Sequence, residues 1–218
     1  MSMQDDVSIL LRRLKDMPVY WDGKACIQEM KEQNYQWRQM EWWAFYFELK
    51  SRNLLDADFE FPGDRVGRVG FDLKRSVNWD LKCKAIKSDE HKAILNDKEA
   101  MEASIQKYGE HGVVLALCDV EYNDVDRSFQ AWHATLMERP SKYTVERQKR
   151  TSNSRYRKTS ATLDEILLLR ITEDNLQFLS TFKQGRNSNG NPRREKYMLD
   201  LEEVDRFLVD TISFEQQR

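Results

Sequence analysis

The run "GVVLALCDVEY", residues 112 to 122, constrains this chain most, because nothing charged interrupts it from Gly112 to Cys118. A segment this apolar and rich in valine and leucine reads as a strand buried on both faces. A sheet containing it must therefore be covered on both sides. The surrounding pattern offers the cover. "VSILLRRLKDM" repeats apolar residues at Val7, Leu10, Leu11 and Leu14 before Pro18. "NYQWRQMEWWAFYFELKSRNLL", about Asn34 to Leu55, has neither Gly nor Pro and is apolar around most of its circumference. Both read as helices. A third helix is expected from about Glu90 to Tyr108, with Ile94, Met101 and Ile105 at helical spacing and Gly109 and Gly112 as stop signals. The fold class is α/β: a central mixed β-sheet flanked by helices. With 218 residues the chain is long enough for one elaborated domain, spanning 1–218, and short for two.

Later segments are expected to add to this core. "SFQAWHATLM" reads as a strand, "NLQFLSTFK" as another, "ATLDEILLLRIT" is of either type, and "DLEEVDRFLVDTI" reads as a closing amphipathic helix. No apolar run approaches the length of a bilayer span, and the N-terminus lacks the pattern of a secretory signal, so a cytoplasmic location is expected. The cysteines, Cys26, Cys83 and Cys118, are too scattered to suggest a disulfide framework or a zinc cluster. His91, His111 and His133 show no metal-ligand spacing and read as structural or exposed.

Charge appears where the strand pattern should be plainest. In "VGFDLKRSVNWDLKCKAI", residues 69 to 86, alternation sends Leu81, Cys83 and Ala85 to one face and Asp80, Lys82 and Lys84 to the other. A hairpin turning about Ser76 would set Asp72 across from Asp80. Opposed residues have Cβ atoms about 4.5–5.5 Å apart, where like charges are destabilising. A divalent cation between the carboxylates turns that repulsion into a set of hard oxygen ligands, and magnesium is commonly held by one or two carboxylates with waters and substrate phosphate. Lys82, on the same face as Asp80, would reach an attacking water or a phosphate oxygen. The competing reading is a solvated edge hairpin laced by cross-strand ion pairs.

With its flanking elements, this stretch resembles the PD-(D/E)xK nuclease superfamily, whose core is a helix, a three-strand meander, a helix and another strand around a magnesium-dependent phosphodiesterase site. The resemblance covers about residues 34–122. Asp72 matches the first acidic residue and "DLK", Asp80 to Lys82, the (D/E)xK element, while Phe71 stands where the name-giving proline would be. The resemblance implies a restriction-endonuclease-like core in which Asp72, Asp80 and the Leu81 carbonyl hold Mg2+ and Lys82 positions or activates water. Family members often add an acid from the preceding helix. Glu41 and Glu48, seven apart, share one helix face, and Glu41 is the preferred one because of its more aromatic surroundings.

The formal charge of −2 conceals two basic segments. Residues 139–158 hold eight Lys/Arg against one Glu, and residues 183–196 hold five against one, leaving the remainder at −13. Such segments suit a polyanion through phosphate contacts. Arg155, Tyr156, Arg157 and Lys158 in the first, and Arg186, Asn187, Asn189, Asn191, Arg193 and Arg194 in the second, are the candidate DNA-binding residues, since Arg suits guanine and Asn adenine in the major groove. The elaborations are bounded at about 139–160 and 183–196. A minimal core with basic loops appended resembles a type II restriction endonuclease. That resemblance implies a sequence-specific double-stranded DNA endonuclease leaving 5′-phosphate and 3′-hydroxyl ends, acting as a homodimer. The alternatives are a structure-specific repair or junction nuclease of the same fold, or a non-catalytic DNA-binding protein.

Overall fold

The structure, a computed structural model, describes residues 2–62, 70–86, 91–138, 156–183, 185 and 190–214. The apolar run lies in β5 (Glu110–Glu121), in the middle of a six-stranded mixed sheet. On one side β5 pairs in parallel with β3 (Asn78–Ala85), and β3 pairs antiparallel with the short β2 (Leu73–Lys74). On the other side β5 is antiparallel to β6 (Ser160–Thr172), whose far edge carries both β1 (Tyr20–Asp22) and β9 (Leu208–Ser213). A smaller antiparallel sheet has the order β4 (Lys92–Asp97), β8 (Lys196–Asp200), β7 (Ser180–Phe182). Parallel neighbours need a crossover. Here β4 and the helix α4 (Lys98–Tyr108) supply it between β3 and β5.

Alternation along β5 feeds two cores. Val114, Ala116, Cys118 and Val120 pack with residues of α1 (Met3–Leu14), α2 (Gly23–Glu32) and α3 (Trp42–Leu55). Val113, Leu115 and Leu117 pack with Met101 and Ile105 of α4 and with Leu95, Tyr197 and Leu199 of the small sheet. Both faces of β5 are thus covered, as the sequence demands. Close approach is sharpest where β3 meets β5. Trp79, fully buried, lies against its register partner Gly112, where a Cβ would fall 2.2 Å from the indole, so only glycine fits.

The β2–β3 hairpin turns about Ser76, with Leu73 opposite Trp79 and Lys74 opposite Asn78. What holds that turn is a residue that the strand pattern does not single out. Asp6 of α1, wholly buried, accepts hydrogen bonds from Ser76 N (3.0 Å), Ser76 Oγ (2.8 Å), Val77 N (3.4 Å) and Trp79 Nε1 (3.1 Å), and pairs with Arg75 Nη1 at 3.3 Å. A carboxylate this buried survives because donors surround it.

Several expected elements differ. The long helix begins at Trp42, not near Asn34, because α2 ends there. Asn34 takes a left-handed φ of 52°, and Tyr35 N–H bonds back to Met30 O at 2.8 Å, a helix C-terminal cap. The helix expected from Glu90 begins only at Lys98, since Ile94 belongs to a strand paired with β8. "SFQAWHATLM" forms a helix, α5 (Ser128–Leu136), whose first turn is held by the Asp124 carboxylate accepting from Phe129 N and Gln130 N. "ATLDEILLLRIT" falls within β6. The closing amphipathic helix is instead a 3-10 turn, Leu201–Arg206, followed by β9, where pairing with the open edge of β6 outweighs helical periodicity. No described helix is long and apolar enough to cross a membrane.

Candidate active site

Continued one residue past the ladder, the hairpin register would set Asp72 opposite Asp80. Asp72 departs from regular pairing: its backbone N–H donates to Trp79 O at 2.9 Å, while its own Oδ2 accepts the Leu81 N–H at 2.8 Å. The carboxylate is thereby turned along β3 toward Lys82. The Lys82 ammonium lies 3.2 Å from Asp72 Oδ2, 3.0 Å from the Leu81 carbonyl oxygen and 3.8 Å from Asp80 Oδ1. The three oxygen groups expected to hold a cation therefore converge on one positive charge.

Asp80 is buried, and Lys82 and Asp72 are half-buried. Burial would raise the Asp80 carboxyl, but the Lys82 ammonium and hydrogen bonds from His111 and Asn96 outweigh it and hold it below the usual aspartate value. For Asp72 burial wins. It lies above the usual value, with Lys82 opposing the rise and Asp80 adding to it. Burial alone would make Lys82 less basic, yet Asp72 and Asp80 hold it above the ordinary lysine value, so it is an ammonium at neutral pH. In this arrangement Lys82 donates hydrogen bonds and stabilises negative charge.

The helix α3 brings Glu48, not the preferred Glu41, into this field. Burial first, and then the Asp72 charge, raise the Glu48 carboxyl above its usual value, against a hydrogen bond from the Tyr35 hydroxyl and the pull of Lys82 and Arg52. Glu41 sits just before α3 and is exposed. Its carboxylate pairs with Lys158, whose ammonium also lies 3.5 Å from the Trp43 ring centroid. The aromatic surroundings that favoured Glu41 are real, but a cation from elsewhere in the chain answers them. The seven-residue spacing placed both glutamates on one face. What it could not show is which turn of that face meets the hairpin.

Nothing in the sequence pattern singled out His111, one residue into β5. It is fully buried, and its Nε2 lies 2.8 Å from Asp80 Oδ2. Expected to be structural or exposed, it touches the acid at the centre of the cluster. Alternation is the signal that finds it. Residues 111, 113 and 115 share a face, and Val113 is the register partner of Asp80.

A hard dication suits this donor set in kind: two carboxylates and a carbonyl, already converged on a cation. Among the described residues no group of three or more His, Cys, Asp and Glu side chains is arranged to hold a metal ion. Two carboxylates match magnesium, which keeps several waters, better than a metal needing a full protein cage.

Of the candidate DNA-binding residues, Arg155, Arg186, Asn187 and Asn189 lie outside the described residues. Asn191, Arg193 and Arg194 are exposed. Arg194 and Lys196 approach Asp97 at 4.0 and 3.5 Å, and Asp97 follows Asn96, a residue that helps hold the Asp80 carboxyl down. This segment therefore borders the cluster. Tyr156, Arg157 and Lys158 belong elsewhere: Thr159 N–H bonds to Glu121 O at the far end of β5. From Val113 to Glu121 is about 26 Å of strand at roughly 3.3 Å per residue.

No protein-family model matches the chain, and no curated protein or solved structure matches it.

Proposed function

We propose that this chain is a magnesium-dependent, sequence-specific endonuclease for double-stranded DNA, of the type II restriction kind, acting as a homodimer. The convergence of Asp72, Asp80 and the Leu81 carbonyl on the Lys82 ammonium carries the reading. Charges this enclosed are costly unless paired, and a fold needing only a stable hairpin would place apolar residues there. Asp72, Asp80 and the Leu81 carbonyl would hold Mg2+, and Glu48 takes the place first given to Glu41. Magnesium, when bound, supplies Lewis-acid stabilisation of charge at the scissile phosphate. Lys82 orients a water or a phosphate oxygen and offsets developing negative charge, a role its protonated state favours. Arg194, which approaches Asp97 at the end of β4, and its neighbour Arg193 would track a phosphate backbone entering the site.

Supercoiled plasmid incubated with Mg2+ tests this. The expected outcome is a reproducible set of fragments with 5′-phosphate ends. Asp80→Asn and Lys82→Met are expected to cut more slowly by on the order of 10³-fold or more, with metal-free DNA binding intact. Cutting confined to branched substrates would favour a junction nuclease, and salt-sensitive binding without scission a non-catalytic protein. Robust cutting by either variant would remove the assignment.

A further inference from the structure

The contact between Asp80 and His111 reaches beyond the four residues on which that reading stands. Asp80 has two oxygens with different neighbours. Oδ1 faces the Lys82 ammonium at 3.8 Å, whereas Oδ2 lies 2.8 Å from His111 Nε2. An ionised carboxylate can only accept, so Nε2 must carry the proton in this contact. The imidazole cannot rotate away cheaply. It is fully buried on β5, and its Nδ1 has no hydrogen-bond partner among the described residues. A buried ring nitrogen without a partner costs free energy. The histidine is thus held by its one contact with Asp80 and by packing. A phenylalanine-like residue would fill such a place without that cost if filling were the only need.

We propose that His111 is a positioning residue for Asp80: by donating from Nε2 to Oδ2 it fixes the turn of the carboxylate, so that Oδ1, on the Lys82 side, is the oxygen offered to a divalent cation. The ligand class is a small hard dication. A one-oxygen carboxylate suits the octahedral demand of magnesium, whereas a carboxylate free to bind through both oxygens suits the larger and looser shell of calcium. Partners of this kind behind a ligand typically govern metal affinity by about 10–100-fold. The proposal rests on the reading of Asp72 and Asp80 as cation ligands and adds to it the direction and denticity of one of them.

The test uses the full chain and Mn2+ alone, with the free ion counted by its electron paramagnetic resonance signal and the fold checked by circular dichroism. Wild type, Asp80→Asn, His111→Phe, His111→Gln and His111→Asn are titrated side by side. A glutamine amide can place an N–H near the position of Nε2, whereas the shorter asparagine falls short of it. The expected result is that wild type binds, Asp80→Asn does not, His111→Phe binds about 10–100-fold more weakly, and His111→Gln stays close to wild type. If His111→Phe does not fold, the two amides decide: binding restored by glutamine and not by asparagine supports positioning, and equal binding by both overturns it. Wild-type affinity in a folded His111→Phe also overturns it, and leaves the cation site standing. A wild type that binds no Mn2+, or an Asp80→Asn variant that binds as well as wild type, overturns the cation reading itself and this proposal with it.

Discussion

The two ends of β5 handle charge in opposite ways. At its start, Asp72, Asp80, Lys82 and His111 are packed together, with Asp6 anchoring the hairpin from behind and Glu48 within reach of the field. At its finish, a single ammonium, Lys158, lies over the rings of the buried Trp43 and of Tyr122 and pairs with the exposed Glu41 carboxylate. The second arrangement needs no special explanation, since one cation is answered there by one solvent-exposed carboxylate and by ring faces. The first one does. Four pKa values there are displaced, Asp72, Lys82 and Glu48 upward and Asp80 downward, because burial and neighbouring charge compete at each group. Residues so perturbed cluster at functional sites. Basic or acidic composition alone would rank these ends equally; the buried Asp80 carboxylate, with a second acid beside it, separates them.

Breaking the anchor at the enclosed end should have the largest effect on stability. Asp6→Ala removes the acceptor shared by Ser76, Val77 and Trp79 and leaves Arg75 without its partner. Losing one member of a buried charged network costs about 3–5 kcal/mol, readable in urea unfolding. A loss below about 1 kcal/mol would show that the turn about Ser76 holds itself, and would remove Asp6 from any part in setting Asp72 against Asp80.

Glu48→Gln should act with the opposite sign. Because the folded carboxyl titrates above its usual value, the unfolded chain releases this proton first as pH rises. Folding stability therefore falls as pH climbs from about 4.3, the ordinary glutamate value, through the raised one, and stays lower beyond it. The glutamine variant escapes that loss. It should be more stable than wild type at neutral pH by on the order of 1 kcal/mol, with the advantage closing below about pH 4, while cleavage weakens. Thermal melts across pH check the sign; an unchanged difference between pH 4 and 7 would mean that Glu48 feels no such field.

The contrast also explains what the sequence could reveal. The hairpin was legible because strand alternation and a turn centre fix register by counting, and Leu73 does face Trp79. The two-sided burial of β5 was legible from its apolar run. The choice between Glu41 and Glu48 was not, since it depends on where α3 starts, and that follows from Asn34 closing α2 in a left-handed conformation. His111 and Asp6 were hidden for the same reason: each meets the hairpin from a distant segment, 31 and 70 residues away. The α5 and β9 segments were misread because short apolar patterns fit either period, and a side-chain cap in one case and an open sheet edge in the other decided between them.

The smallest effects should come from the far end of β5, and they sharpen the assignment of the two basic segments. Lys158 is engaged by Glu41, Trp43 and Tyr122, so its charge is already partly answered within the chain. Arg193 and Arg194 are exposed, and Arg194 approaches Asp97 at the end of β4. If DNA lies across the enclosed end, taking one cation away from a phosphate should flatten the plot of log K against log salt by about 0.9. The double variant Arg193→Ala, Arg194→Ala is then expected to lower the slope by about 2, and Lys158→Met by well under 1, with at most about 1 kcal/mol of stability lost in the latter. Equilibrium binding to a plasmid-derived duplex over a range of salt, without metal, reads both. A steeper dependence on Lys158 than on the arginine pair would place the DNA about 26 Å of strand away from Asp80, and would leave the enclosed carboxylates without a phosphate to act on.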